Sequence, residues 1–237
     1  LEDLGLKFTK PEVYKAINAM QDTPFRVNQR ILDVLTELES AGVYGVVPEP
    51  VAPVTEDMSH GEKAELMARR SKRDRYDRNI SVANKIATGS HYHYWTCCYR
   101  GRFYPTTIFG PNPQGDDVQR SLLLCSNPKV MGRGAAKWLK IHTANCYGKD
   151  KELLDGRVEW VEKNTDFIIG IANDPVGTYE QWNYCDKPLS FLAACFEYKD
   201  YLADPNNYRC PIFVQLDATL SCLQFLSALT GDAVAAN

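Results

Sequence analysis

Pro188-Leu189-Ser190-Phe191-Leu192-Ala193-Ala194-Cys195-Phe196-Glu197-Tyr198 opens a segment that runs on through Asp204-Pro205 to Ile212-Phe213-Val214-Gln215-Leu216-Asp217. Its first part predicts a helix over 188–203. Pro188 suits a first helical turn, where its missing N–H costs nothing, and Asp204-Pro205 ends the run. Ile212–Leu216 is a short β-prone run, and Asp217 sits just past its apolar core. A second helix is predicted from about Thr219 to Thr230, stopped by Gly231. A carboxylate between a buried strand and a helix is rigidly placed and can bind a hard cation such as Mg²⁺. Phosphoryl-transfer sites use two such carboxylates to hold two metals about 3.5–4 Å apart. An Asp that caps the following helix is the competing reading, and spacing alone favours the cap.

Outward from this segment, helices are predicted at about 132–146 and 156–172. Near the start, Thr9-Lys10-Pro11-Glu12 has capping-box spacing and opens a helix to about Met20. Thr23-Pro24 opens another, with Val27, Ile31, Leu35 and Leu38 on the helical period and a stop near Gly42. Residues 46–60 hold Pro48, Pro50 and Pro53 and read as a mobile, extended loop. A charged helix follows from about Gly61 to Ala87. Residues 89–120, rich in Gly, Pro and aromatics, read as strands and loops. The fold class is α+β, mainly helical, without an internal repeat.

The 237 residues carry 27 Lys+Arg against 30 Asp+Glu, a formal net charge of −3, which by itself counts against a nucleic-acid partner. The charge is unevenly spread. Residues 69–149 hold 15 basic side chains and four acids, a net +11, leaving −14 for the remainder. A block of this kind is the electrostatic footprint expected opposite a polyanion. No apolar run is long enough to span a bilayer, so no membrane partner is expected. The eight cysteines form no C-x-x-C pair, and several lie in apolar runs where a thiol packs as a small hydrophobe. A reduced, cytoplasmic protein is expected. There is no G-x-S-x-G elbow and no phosphate-binding G-x-x-x-x-G-K-[ST] loop.

Three basic constellations stand out. In Tyr99-Arg100-Gly101-Arg102-Phe103-Tyr104, two guanidiniums at i, i+2 share one side of a predicted strand. Arginine forks suit phosphates and the interleaved aromatics can stack bases. Arg133, Lys137 and Lys140 form a stripe at i, i+4, i+7, with His142 two residues later. In Arg69-Arg70-Ser71-Lys72-Arg73, the candidates for nucleic acid are Arg69, Arg70 and Arg73. A solvated helix face is the alternative for both helical groups. His91-x-His93 offers only two ligands among aromatics and reads as a packed strand, not a metal site.

Five blocks resemble, in order, the single-subunit RNA polymerases of phages and mitochondria. Pro11–Asn18 with Val27–Leu32 is similar to the segment before the palm. Tyr99–Tyr104 followed by Asn112-Pro113-Gln114-Gly115-Asp116-Asp117 resembles the family's W-R-G-R-x-Y and N-P-Q-G-x-D stretch. Trp138-Leu139-Lys140-Ile141-His142-Thr143-Ala144-Asn145-Cys146 resembles its W-L-K-I-H-x-A-N block. Phe191–Tyr198 looks like the helix before the catalytic strand. Gln215–Gln224 resembles palm motif A.

The resemblance implies a partial right-hand polymerase. Residues 1–45 would be a helical hairpin near the thumb base, 46–60 the mobile loop, 61–90 a basic helix, and 91–237 a palm portion ending just after motif A. It implies Mg²⁺ as cofactor, with the Asp217 carboxylate and the Ala218 carbonyl as ligands. Lys140 would serve catalysis close to the active centre. Arg100, Arg102, Tyr104 and His142 would face template DNA, nascent RNA or ribonucleoside triphosphates. The RNA 3′-hydroxyl would attack the nucleotide α-phosphate, with two metals neutralising the attacking and leaving oxygens.

The departures bear on mechanism. Ala218, Cys222 and Phe225 replace two glycines and a histidine of the family's motif A, and Cys98 stands where relatives can carry an acid. The fingers and the second aspartate are expected on a second polypeptide, as in the two-polypeptide phage polymerases. The alternatives are a non-catalytic nucleic-acid-binding subunit with a degenerate motif A, and a fragment of a DNA polymerase of related palm architecture.

Overall fold

The computed structural model describes residues 11–215, apart from 54, 56 and 133, together with 226, 227 and 229–231. Helix α1 (Pro11–Gln21) begins at the expected proline, while Thr9, its expected cap, lies outside the described residues. The next element departs from expectation. Instead of a helix from Pro24, Phe25–Val27 form strand β1, and α2 spans Gln29–Ser40. Phe25-Arg26-Val27 alternates buried, exposed, buried, a period-2 pattern that a strand satisfies and a helix does not. Asn28, at the head of α2, does not cap it. Its side chain donates to the Ser121 carbonyl at 3.1 Å and its N–H donates to the Leu122 carbonyl at 2.9 Å, which holds β1 against a distant segment.

The described residues of 43–59 form no regular element, yet the segment starts firmly anchored. Val47 is fully buried. The Tyr179 hydroxyl donates to the Tyr44 carbonyl and accepts from the Val46 N–H, both at 3.1 Å. Helix α3 (His60–Lys85) opens on a full capping box, with Ser59 and Glu62 exchanging bonds, and covers nearly the predicted range.

Strands β2 (Trp95–Cys97) and β3 (Phe103–Pro105) form an antiparallel hairpin, whose inner Trp95, Cys97 and Phe103 pack on Ile17 of α1. Helix α4 (Asp117–Ser121) leads into β4 (Leu123–Cys125), which pairs antiparallel with β1. Helix α5 covers Ala135–Tyr147. The predicted 156–172 helix is two, α6 (Leu154–Lys163) and α7 (Thr165–Asn173). At the break, the Asn164 amide donates to the Trp160 carbonyl at 2.7 Å and Thr165 Oγ1 to that of Glu162 at 3.0 Å, side chains taking acceptors the helix ladder would use. A short α8 (Tyr179–Trp182) precedes α9 (Pro188–Ala203), whose bounds match the sequence reading.

Helix α9 is the centre of the molecule. Leu189 and Phe191–Tyr198 are all buried, and α2, α4, α5, α7 and α8 contact it. A helix apolar on every side needs neighbours on every side. Ile212–Gln215 form no strand, against expectation: among the described residues only Pro211, just before them, bonds the β4 edge, accepting from the Cys125 N–H at 2.8 Å. A strand needs a continuous ladder, and one bond does not make one. Leu226, Ser227, Leu229 and Thr230 are helical and Gly231 has φ +71°, while most of the predicted 219–230 helix lies outside the described residues. The fold is α+β and mainly helical, as expected.

Candidate nucleic-acid and metal site

Asp217 and Ala218 lie outside the described residues, and so does Arg133. The chain that leads to Asp217 is described, and it forms one wall of a cavity of about 200 Å³. Phe25, Leu123, Ala193, Ile212 and Phe213 give that cavity its apolar lining. Arg120, Ser121, His142, Ser190 and Gln215 give it polar groups. Phe213 rests on Phe25 at 5.4 Å between ring centroids. Arg120 Nη1 donates to Gln215 Oε1 at 3.2 Å.

His142 and Lys140, grouped by the sequence, are separated by the structure. Two residues on a helix differ by about 200° around its axis. His142 is buried on the α4–α9 side and faces the cavity, with Cys146 Sγ 3.6 Å from its Nε2. Burial depresses its pKa to about 4, with the nearby Lys187 charge adding to the effect, so the ring is neutral at pH 7. Lys140 turns to α6 and pairs with Glu162 at 2.5 Å, as Lys137 pairs with Asp155 at 2.6 Å. Such half-exposed pairs are worth under about 1 kcal/mol and exchange readily for a stronger anion.

The Asn112–Asp117 block is a folding device. Asn112 Oδ1 accepts from the Gln114 N–H at 2.9 Å, and its amide donates to the Thr107 carbonyl at 2.9 Å. Asp116 and Gln119 cap α4 reciprocally, a D-x-x-Q capping box legible in the sequence. The buried Gln119 amide also donates to the Gly110 carbonyl at 3.0 Å, and Asn79 of α3 accepts from the Gly110 N–H at 2.9 Å. Asp117 caps α9 from outside: it accepts from the N–H groups of Leu189 and Ser190 at 2.8 and 3.1 Å and from the Ser190 hydroxyl at 2.6 Å. Burial raises its pKa, and these three bonds oppose that rise. The sequence reading gave Asp117 no role, because its partners lie 72 and 73 residues away.

The Tyr99–Tyr104 group does not lie along one strand. Tyr99-Arg100-Gly101 forms the hairpin turn, closed by the Gly101 N–H on the Cys98 carbonyl at 2.9 Å, with Gly101 at φ +74°. A side chain at position 101 would be strained there. Tyr104 lies on β3, opposite Thr96, on the outer face. Arg100, Arg102 and Tyr104 are exposed, and Arg100 lies over the Tyr99 ring at 5.8 Å. Tyr92 and Tyr94, on the approach to β2, are exposed as well. No acid falls between Asn79 and Gly115.

The α3 arginines divide. Arg73 is largely buried: it pairs with Glu39, with Asp77 at 2.8 Å, and donates to the Pro48 carbonyl at 2.8 Å. It straps the segment that follows α2 to α3 through the Pro48 carbonyl. Arg69 pairs with Glu49 at 2.6 Å on the surface, and Arg70 is exposed. His91 and His93 pack around Phe25, with His93 Nδ1 2.9 Å from Thr107 Oγ1. Among the described residues no group of three or more His, Cys, Asp or Glu is placed to hold a metal, and the cavity lining has no carboxylate.

The family model described as DNA-dependent RNA polymerase matches residues 129–237. The chain is 33% identical to the DNA-directed RNA polymerase of Enterobacteria phage K11 and 32% identical to the T7 RNA polymerase of Escherichia phage T7, over 94% of its own length in each case. It is 28% identical to the mitochondrial DNA-directed RNA polymerase of Schizosaccharomyces pombe over 93% of its length. These matches make the chain similar, along nearly all of its length, to the phage- and mitochondrial-type DNA-directed RNA polymerases that its five blocks resemble. It spans about a quarter of the length of the curated relatives it matches, 27% for both phage enzymes.

Proposed function

We propose that this chain is the motif A-bearing subunit of a DNA-directed RNA polymerase and joins ribonucleotides along a DNA template. The observation that carries the reading is collinear similarity to RNA polymerases over 94% of the chain, through the segment containing Asp217. In the proposed reaction the 3′-hydroxyl of the RNA attacks the α-phosphate of a ribonucleoside triphosphate and pyrophosphate leaves. The Asp217 carboxylate and the Ala218 carbonyl would hold Mg²⁺, which when bound supplies charge neutralisation at the attacking and leaving oxygens.

This chain's other residues bind and orient. Arg100, Arg102 and Tyr104, exposed on an acid-free hairpin, contact the template and the hybrid. Arg69 and Arg70 add attraction from α3. Arg73 acts as a strap, engaged by Glu39, Asp77 and the Pro48 carbonyl. Lys140 releases Glu162 to meet phosphate. His142, neutral in its cavity, serves as a hydrogen-bonding wall and not as a cation. We assign the fingers and the second aspartate to a second polypeptide.

The test is nucleotide incorporation by the assembled polymerase carrying Asp217→Asn. A loss of about a thousandfold or more is expected when a metal ligand is removed. Full activity would overturn the catalytic reading and leave a nucleic-acid-binding module, which the replacements at Ala218, Cys222 and Phe225 would then explain. Co-purification of the chain with a polypeptide bearing the second aspartate checks the partner assignment. A single-chain active enzyme would refute it.

A further inference from the structure

The segment between α9 and Asp217 is secured step by step. The Met131 N–H donates to the Tyr208 carbonyl at 2.9 Å and the Cys125 N–H to the Pro211 carbonyl at 2.8 Å. Phe213 then rests on Phe25. Residues 214 and 215, the described ones that follow directly, form no strand, and Val214 is exposed. Among the described residues the last tether before Asp217 is the bond from Arg120 Nη1 to Gln215 Oε1.

Arg120 is well placed to be a fixed point. It belongs to α4, whose first turn is locked by the Asp116–Gln119 capping box and whose Asp117 caps α9. Its guanidinium lines the cavity together with Gln215, and its Nε is buried with no partner among the described residues, so the group is sunk into the protein and not splayed into solvent. A planar fork always charged at working pH gives a directional bond that a lysine would not reproduce.

We propose that Arg120 is a positioning residue for nucleotide transfer, acting through Gln215 to fix the approach of the chain to Asp217. The inference rests on the reading of Asp217 as a metal ligand. Gln215 completes the clamp from the side of the chain that leads to Asp217, and neither residue needs to touch substrate. Small misplacements of a catalytic group cost rate out of proportion to the energy of the bond that prevents them.

The experiment is a double-mutant cycle in the assembled polymerase, with Arg120→Ala, Gln215→Ala and the double variant, read as kcat and as KM for the nucleotide. Each single change is expected to lower kcat about tenfold with KM within about twofold, and the double to lower kcat no further than either single. Arg120→Lys should not restore the rate. Gln215→Glu, which keeps an acceptor for the fork, should retain most of it. Additive losses, or a loss confined to Arg120→Ala with Gln215→Ala silent, overturn the proposal. The latter outcome would mean that Arg120 acts directly on substrate. A rise in KM alone overturns it as well. The half-buried Gln215, changed to Ala, keeps the test open if Arg120→Ala fails to fold. An active Asp217→Asn enzyme would defeat the proposed function itself, whereas an inactive one beside additive Arg120 and Gln215 losses would defeat this inference alone.

Discussion

His142 shows how one buried side chain ties the site to pH. In the folded chain its pKa is about 4, because the cavity wall desolvates the imidazolium. In the unfolded chain it returns to about 6.5. As pH falls from 6.5 towards 4 the unfolded state takes a proton that the folded state refuses, so stability is lost over that window. It is fully present above it. The contribution is of the order of 3 kcal/mol. His93, depressed to about 4 by burial and by neighbouring His91, acts in the same direction. Urea unfolding across pH 4–7 should show this loss, and His142→Gln should flatten the slope. The thiols divide in a comparable way. Burial pushes Cys146 up to about 12 and Cys195 well above the usual thiol range. The backbone and Arg100 beside Cys98 lower its pKa. Brief iodoacetamide treatment at pH 8, read by mass spectrometry, should label Cys98 well before Cys146 or Cys195.

Among elements, α9 has the most legible sequence and the least legible support. Pro188 and Asp204-Pro205 marked both ends, and an unbroken apolar run marked it as central. Its N-terminal cap could not be read, because Asp117 lies 72 residues back in the chain and no local spacing connects the two. Asp117→Ala removes acceptors for two backbone N–H groups and a hydroxyl, and should cost about 2 kcal/mol in urea unfolding. Asp117→Asn keeps one carbonyl acceptor and sheds a buried charge, so it should cost less. Strand β1 was illegible for a related reason. Phe25-Arg26-Val27 is only three residues long, and what makes it a strand is pairing with Leu123–Cys125, about a hundred residues on. Helix α3 holds its preceding segment through Arg73. Arg73→Met should expose residues 49–59 to limited proteolysis faster than Arg70→Met does, since Arg70 is exposed and holds nothing there.

Across the whole molecule, a net charge of −3 conceals a +11 block, and the structure sorts that block into exposed and paired cations. Arg73, Lys137 and Lys140 are paired, while Arg100, Arg102 and Arg70 are exposed. Binding of the assembled polymerase to an RNA–DNA hybrid should weaken with Arg100→Ala plus Arg102→Ala. The slope of log affinity against log salt should fall by about two, as expected for two lost phosphate contacts. An unchanged slope would remove the hairpin from the interface.

The sequence by itself determined the likeness to RNA polymerases, the helical class, the bounds of α9 and which residue types stand as candidates for metal and phosphate. These are properties of local pattern and of blocks read in order along the chain. Only the tertiary structure decided which of those residues are free to act. It turned Lys140 to Glu162 and His142 into a cavity, sent Arg73 to hold a loop, and brought Arg120 to Gln215 across 95 positions. The reason is physical: a side chain's partners are set by packing between distant segments, and its availability for function is what those partners leave over.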